Sequence, residues 1–300
     1  MIIRKVKLSI LIPVYNYDVR DLVHKLHDQL IELDTPVEIL CYDDASTDES
    51  YKVTNREINK LSVVIYKELP ANIGRAAIRN KLANEANYNK LLFIDCDCEP
   101  ISDNYLKNYL GYSAKYQALS GGTIYPATND NPKQSLRWKY GIAREEKFAE
   151  RRNDTPYDSI TLNNFYIDKS TFLKIGLDES IEGYGHEDTK FGYALNDNNI
   201  PLLHIRNPVL HYGLETNEVF LQKTETAIKN FYKLSLQGYG KSTKLYESYL
   251  LLKSLRMDGL FISVFSALQK SIIKNLCSSD PSLQLFDLYK LKLLLEESRK

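Results

Sequence analysis

Asp95 and Asp97 stand one residue apart at the end of the apolar run Leu91-Leu92-Phe93-Ile94, and Pro100 keeps that run from continuing far as a strand. Side chains alternate along a strand, so the two carboxylates project to the same side. Like charges this close repel unless a cation lies between or beside them. Mg²⁺ and Mn²⁺ take carboxylate oxygens together with the phosphate oxygens of a substrate, so the pair points to a metal–phosphate site. The plainer alternative is a strand ending in solvated acids. Cys96 and Cys98 flank the acids but have no second Cys or His pair nearby in sequence to make a zinc site. With Cys41 and Cys277 they form no disulfide framework, so a reducing cytoplasm is the expected compartment.

Other residues with chemical potential follow apolar runs or glycines. Tyr15, after Lys7–Pro13, can stack on a nucleobase, and Asp43 or Asp44 can accept from a base N–H. Asp43-Asp44-Ala45-Ser46-Thr47-Asp48 is equally good turn and N-cap chemistry. Asn72 and Gly74 make a tight turn before a helix carrying Arg79, whose planar fork suits phosphate or carboxylate; a surface salt bridge is the alternative. Glu187-Asp188 opens a helix after the loop Gly183-Tyr184-Gly185-His186, where the helix dipole alone favours acids. An acid there can also serve as general base. His211 follows an apolar strand and can supply a third metal ligand, which favours Mn²⁺ over Mg²⁺. His24, His27 and His204 are read as structural. Trp138 and Asn163-Asn164 are read as acceptor contacts or as core packing.

The elements that must position these residues alternate. Strands at Lys7–Pro13, Val37–Tyr42, Ser62–Tyr66 and Lys90–Asp95 are interleaved with helices at Asp18–Leu33, Glu49–Lys60 and Arg75–Ala86. This rhythm predicts a doubly wound, mostly parallel sheet. Ligands of such sheets gather outside the carboxyl ends of the strands, so Tyr15-Asn16, Asp43-Asp44 and Asp95/Asp97 should share one crevice. Further on come a helix at Asp103–Tyr112, a strand with a glycine break at Ala118–Tyr125, and one charged helix over Gln134–Arg152. An extended piece at Thr161–Ile167, helices at Lys169–Ile175 and Glu187–Asn198, and two short extended pieces in Ile200–Tyr212 follow. From Glu215 on the chain reads as helical.

The 300 residues are 43% hydrophobic and 26% charged, as in ordinary globular proteins. The zero net charge hides an asymmetry: after residue 220 there are 13 Lys/Arg against 7 Asp/Glu, leaving 26 against 32 before it. We therefore divide the chain at residues 1–220 and 221–300. The basic N-terminus leads straight into a strand and is not expected to be a secretory signal. No apolar run reaches the ~18–20 residues of a membrane span. Lys244–Leu276 mixes basic and apolar residues, and reads either as a membrane-surface helix or as an extension packed on the main body.

The ordered motifs Ile12-Pro13-Val14-Tyr15-Asn16, Asp43-Asp44-Ala45-Ser46-Thr47-Asp48, Asn72-Ile73-Gly74 with Arg79-Asn80, Asp95-Cys96-Asp97 and Gly185-His186-Glu187-Asp188 resemble family 2 of the inverting glycosyltransferases over about two-thirds of the chain. The last motif is similar to that of the galactosyltransferase-type subgroup. The resemblance implies a GT-A fold with a C-terminal helical extension, a nucleotide-diphosphate-sugar donor (UDP by family expectation) and Mn²⁺ or Mg²⁺. It implies transfer of a hexose or N-acetylhexosamine to a glycan or lipid-linked acceptor, with no nucleic-acid partner. It also implies roles. Pro13, Tyr15, Asn16, Asp43 (with Asp44 kept open), Asn72 and Arg79 would bind the nucleotide sugar. Asp95 would lie nearer the ribose and beside the metal, Asp97 and His211 would hold the metal, and Asp188 would act as base with Glu187 on acceptor or sugar hydroxyls. Two rival readings are a nucleotide-sugar-binding module without a working base and an aspartate-dependent phosphatase. The phosphatase pattern Asp-x-Asp-x-Thr/Val fails at Glu99.

Overall fold

The computed structural model describes residues 6–113, 115–181, 183–241 and 243–300. Residues 1–5 of the basic N-terminus lie outside the description. The first half runs β1 (Leu8–Val14), α1 (Arg20–Leu30), β2 (Val37–Asp43), α2 (Glu49–Asn55), β3 (Val64–Glu68), α3 (Arg75–Glu85) and β4 (Lys90–Ile94). Then come β5 (Cys98–Pro100), α4 (Tyr105–Tyr112), β6 (Ala118–Ser120), β7 (Thr123–Ile124), α5 (Ser135–Tyr140) and α6 (Ala149–Asp154). β8 (Asn164–Asp168), α7 (Lys169–Ile175), α8 (Glu187–Asp197), β9 (Leu202–His204) and β10 (Val209–His211) precede four helices: α9 (Asn217–Leu236), α10 (Lys244–Ser254), α11 (Asp258–Leu276) and α12 (Leu283–Glu297).

Seven strands form one sheet in the order β3-β2-β1-β4-β8-β6-β9. It is mostly parallel, and only β8 runs against its neighbours β4 and β6. The period-two alternation of a strand buried on both faces is explicit. Leu8, Ile10, Ile12, Val37, Ile39, Leu92 and Ile94 enter one core with Leu22, Val23 and Leu26 of α1. Leu11, Leu40, Leu91 and Phe93 enter the other with Ile78 and Leu82 of α3, Phe172 of α7 and Phe191 of α8. A second sheet, β5-β10-β7, pairs His211 with Cys98 across an antiparallel register. Ala118–Tyr125 therefore serves both sheets, divided at its glycines.

Asn164 ties these layers together. It is fully buried; its Oδ1 accepts from the Tyr105 and Tyr109 hydroxyls, and its Nδ2 donates to the Gly122 and Asn207 carbonyls. Asn164→Ala removes these four hydrogen bonds, leaving the Tyr109 hydroxyl with the residue 164 backbone carbonyl and the Gly122 carbonyl with the Val209 amide. It should destabilise the protein by about 3 kcal/mol, since each orphaned buried group costs about 1–3 kcal/mol; urea unfolding measures it.

The expected helix Gln134–Arg152 is broken. α5 ends in a π-helical turn at Gly141–Glu145, and α6 begins only at Ala149. Glycine is a weak helix former, and long-range contacts claim the two ends separately. Arg137 lies 3.4 Å from Glu215 as well as pairing with Glu145, whereas buried Arg152 donates to the carbonyls of Ser120, Gly121 and Ile205.

The chain forms two compact units that interleave in sequence. One comprises Met1–Tyr125, Glu146–Ser180 and Glu187–Gly213; the other comprises Pro126–Glu145, Ile181–His186 and Leu214–Lys300. The core of the second includes Leu136, Phe220, Phe265, Leu276, Phe286 and Tyr289. Among the described residues no helix is long and apolar enough to cross a membrane.

Candidate active site

The loops at the carboxyl ends of β1, β2 and β3 are laced together. Asn16, at φ 48°, accepts through Oδ1 from the Thr47 and Asp48 amides, while its own amide donates to Ser46 Oγ. Asp44 accepts from the Ile73 and Gly74 amides, and Asn72 Nδ2 donates to the Asp44 carbonyl. Asp43 accepts from the Ser46 amide at 2.6 Å, from Ser46 Oγ and from the Tyr66 hydroxyl, and it has no exposed surface. The turn reading of Asp43-Asp44 is thus the one realised in these loops, and Asp48 caps α2 through the Ser50 amide. Both carboxylates are engaged by the loops around them, Asp43 wholly buried and Asp44 nearly so. Pro13, partly buried in β1, lies in register with Tyr42, and Tyr15 stands 46% exposed at the rim.

The two acids of Asp95-Cys96-Asp97 part company. Asp95 forms an ion pair with Arg79, and its amide donates to the Asn163 carbonyl. Arg79 is almost wholly buried and donates also to the Arg75 carbonyl. Arg79 thus meets the Asp95 carboxylate, one of the two kinds of partner that its planar fork suits. Asp97 faces His211, with Oδ2 3.3 Å from Nε2. The β5–β10 pairing makes this meeting, reinforced by the Tyr212 amide donating to the Asp97 carbonyl. Burial opposes ionisation of Asp97, but the hydrogen bond and charge of His211, with the charge of Arg75, hold its carboxyl down at about 2. Burial, followed by the charge of Asp97, pushes the Tyr17 hydroxyl up to about 12.

Asp97, Cys98 and His211 bring an oxygen, a sulfur and a nitrogen within 4.8 Å of one another. A carboxylate with an imidazole suits Mn²⁺ or another borderline divalent ion, and the thiol adds a softer donor. The residues present therefore fit a divalent metal. Asp95, expected beside the metal, is not in this group. Cys98, set aside for want of a neighbouring histidine, has one supplied from 113 residues further along. Gly213 makes room: a Cβ there would overlap Asp97 Oδ2 and come within 2.8 Å of its Cβ.

The acid pair of α8 reaches the same unit through Arg75. The Arg75 Nε lies 2.8 Å from Glu187 Oε1, and its Nη2 lies 3.9 Å from Asp95 Oδ2. Arg79, Asp95, Arg75 and Glu187 thus form a chain of alternating charge. Burial would raise the Glu187 carboxyl, but Arg75 brings it below its ordinary value. Glu187, expected on a sugar or acceptor hydroxyl, is buried against Arg75 instead. Asp188 accepts from the Leu162 amide at 3.0 Å, and burial together with the Glu187 charge pushes its carboxyl up to about 7. Arg75 was missed in the sequence because nothing in its local pattern separates it from a surface arginine. The loop before α8 packs on α9: Asn230 Nδ2 donates to the Tyr184 and Gly185 carbonyls, and the His186 ring (φ 75°) lies tilted against Phe231, centroids 5.3 Å apart. Trp138 donates to the Pro126 carbonyl, and His204 is a buried partner of Arg152.

This interrupted parallel sheet, with its D-x-D turn, is that of a GT-A-type glycosyltransferase. The chain belongs to glycosyl transferase family 2, whose model matches residues 9–172. It is 34% identical over 116 residues to the poly(ribitol-phosphate) beta-glucosyltransferase of Bacillus spizizenii, covering 37% of this chain and 18% of that protein. It is 25% identical over 225 residues to the chondroitin synthase of Pasteurella multocida, covering 64% of this chain and 23% of that one. The chain thus spans about a fifth of the length of these relatives. Among solved structures, the mannosyltransferase PcManGT from Pyrobaculum calidifontis, in complex with GDP-Man and Mn²⁺, matches with a TM-score of 0.59 at 14% identity. That match covers 98% of this chain and 86% of that one, and shows the shared fold.

Proposed function

We propose that the chain is an inverting glycosyltransferase moving a hexose or N-acetylhexosamine from a nucleotide-diphosphate sugar, best read as a UDP-sugar, to a hydroxyl of a glycan or lipid-linked glycan. One observation carries the reading. The charge chain Arg79–Asp95–Arg75–Glu187 ties the D-x-D turn to the α8 acids, so that the Asp97–His211 pair and a carboxylate of raised proton affinity belong to one compact unit. The relatives named for poly(ribitol phosphate) and chondroitin support a polymeric glycan acceptor.

In this mechanism Tyr15 stacks on the base at the rim, and Asn16, Asp43, Asp44 and Asn72 hold the loops that bound it. Asp95, paired with Arg79, lies beside the ribose. Asp97 and His211 would hold the metal, Mn²⁺ ahead of Mg²⁺, which when bound offsets negative charge on the nucleoside diphosphate. Asp188 takes the proton of the acceptor hydroxyl. The acceptor oxygen bonds to the anomeric carbon as the bond from that carbon to the diphosphate oxygen breaks, and the configuration inverts. Glu187, its charge fixed by Arg75, keeps the proton affinity of Asp188 high. A reducing cytoplasm, including the inner membrane face, suits the four free cysteines.

A thermal-shift panel of UDP-, GDP- and other nucleotide sugars, with and without Mn²⁺, tests the donor. A Mn²⁺-dependent rise with a UDP-sugar is expected; no rise and no turnover with any nucleotide sugar would sink the proposal. Gly213→Ala should leave folding intact but displace Asp97. The Mn²⁺ concentration for half-maximal activity should then rise by about tenfold or more, the usual effect of disturbing a ligand's support.

A further inference from the structure

The outer faces of α10 and α11 carry large apolar residues in water. Leu260, Val264 and Leu268, at i, i+4 and i+8 of α11, are 61%, 52% and 54% exposed. Leu250 and Leu251 of α10, with Leu255 and Met257 of the turn between the helices, are exposed as well. The inner face of α11 already has its partners, since Phe265, Ile272 and Leu276 pack with Phe286 and Tyr289 of α12. A helix apolar on its buried face needs no second apolar stripe outside, and isolated surface leucines do not form one.

Charge indicates what covers it. Within residues 241–276 there are six Lys/Arg and two carboxylates, Glu247 and Asp258. Asp258 is engaged by Lys253 and Arg299. Lys244, Arg256, Lys270 and Lys274 are all exposed. At 100° per residue, Lys270 and Lys274 border one edge of the Leu260/Val264/Leu268 stripe. A second copy docked through the same patch about a two-fold axis would set these cations against their own kind. An anionic bilayer accepts both features, leucines among acyl chains and lysine stems reaching up to the headgroups.

We propose that the α10–α11 face docks the protein on an anionic lipid surface without spanning it. This does not depend on the sugar-transfer reading, because binding is measured without turnover. The full-length chain is pelleted with vesicles of phosphatidylcholine alone or mixed with phosphatidylglycerol. We expect binding only to the mixed vesicles, weakened ~10-fold or more in the triple variant Leu260→Ser, Val264→Ser, Leu268→Ser and in the double variant Lys270→Glu, Lys274→Glu. Unchanged thermal midpoints in both variants would agree with side chains that serve only the surface. The proposal is overturned by absent pelleting, by equal pelleting with neutral vesicles, or by variants that bind like the parent. It is equally overturned by a fallen midpoint, or by a lipid-free dimer, seen in light scattering, that the serine variant dissociates.

Discussion

Asp188→Asn should lower kcat by about 10³-fold, within the range that a positioned general base contributes. The change is nearly isosteric, and an amide oxygen can still accept from the Leu162 amide, so the helix start is preserved. What disappears is the capacity to take the acceptor proton. The pH dependence separates this role from a structural one. The Asp188 carboxyl is pushed up to about 7 by burial and by Glu187, and only its ionised form acts as base. Activity of the parent protein should therefore climb as pH rises through about 7 and level off above. The residual activity of the Asn variant should lack that rise. A variant with undiminished turnover, or one that keeps the same inflexion, would remove Asp188 from the mechanism.

Asp97→Ala should cost about as much by a different route. A metal that neutralises a diphosphate leaving group supplies several kcal/mol, equivalent to about 10³-fold in rate. Asp97 is the carboxylate of the donor set, and its loss leaves His211 and the Cys98 thiol. The β5–β10 junction should survive, because the Tyr212 amide bonds to the Asp97 carbonyl rather than to its side chain. Calorimetric titration with Mn²⁺ should show lost binding in a variant whose thermal midpoint stays close to the parent's. Retained Mn²⁺ binding with retained activity would refute the assignment.

The sheet could be read from sequence because its strands are buried on both faces and separated by amphipathic helices such as α1, so short-range pattern and tertiary role agree. The placing of β2, β1 and β4 as parallel neighbours followed from the same alternation. The partners within the site were not readable. Arg79 and Asp95 are 16 residues apart, Arg75 and Glu187 are 112 apart, and only the folded sheet decides which arginine meets which acid. Asp43-Asp44 looked equally suited to a ligand and to a turn, and the Ser46, Tyr66 and Ile73 contacts settle how these loops are built. The broken helix after Gln134 has the same origin, since its charges answer to partners far away in the chain.

The loop Ile181–His186 ends where the acid pair begins, and it rests on a helix synthesised later. Gly183 and Gly185, both at positive φ, lie where a Cβ would crowd Thr226 and Ala227, and Asn230 holds the carbonyls of Tyr184 and Gly185. A ribosome adding about 5–20 residues per second releases the parallel strands β1–β4 well before it releases α9. The growing chain thus releases these strands first, and the glycine loop meets its helix only afterwards. A chain ended prematurely before α9 would carry this loop without the helix it rests on.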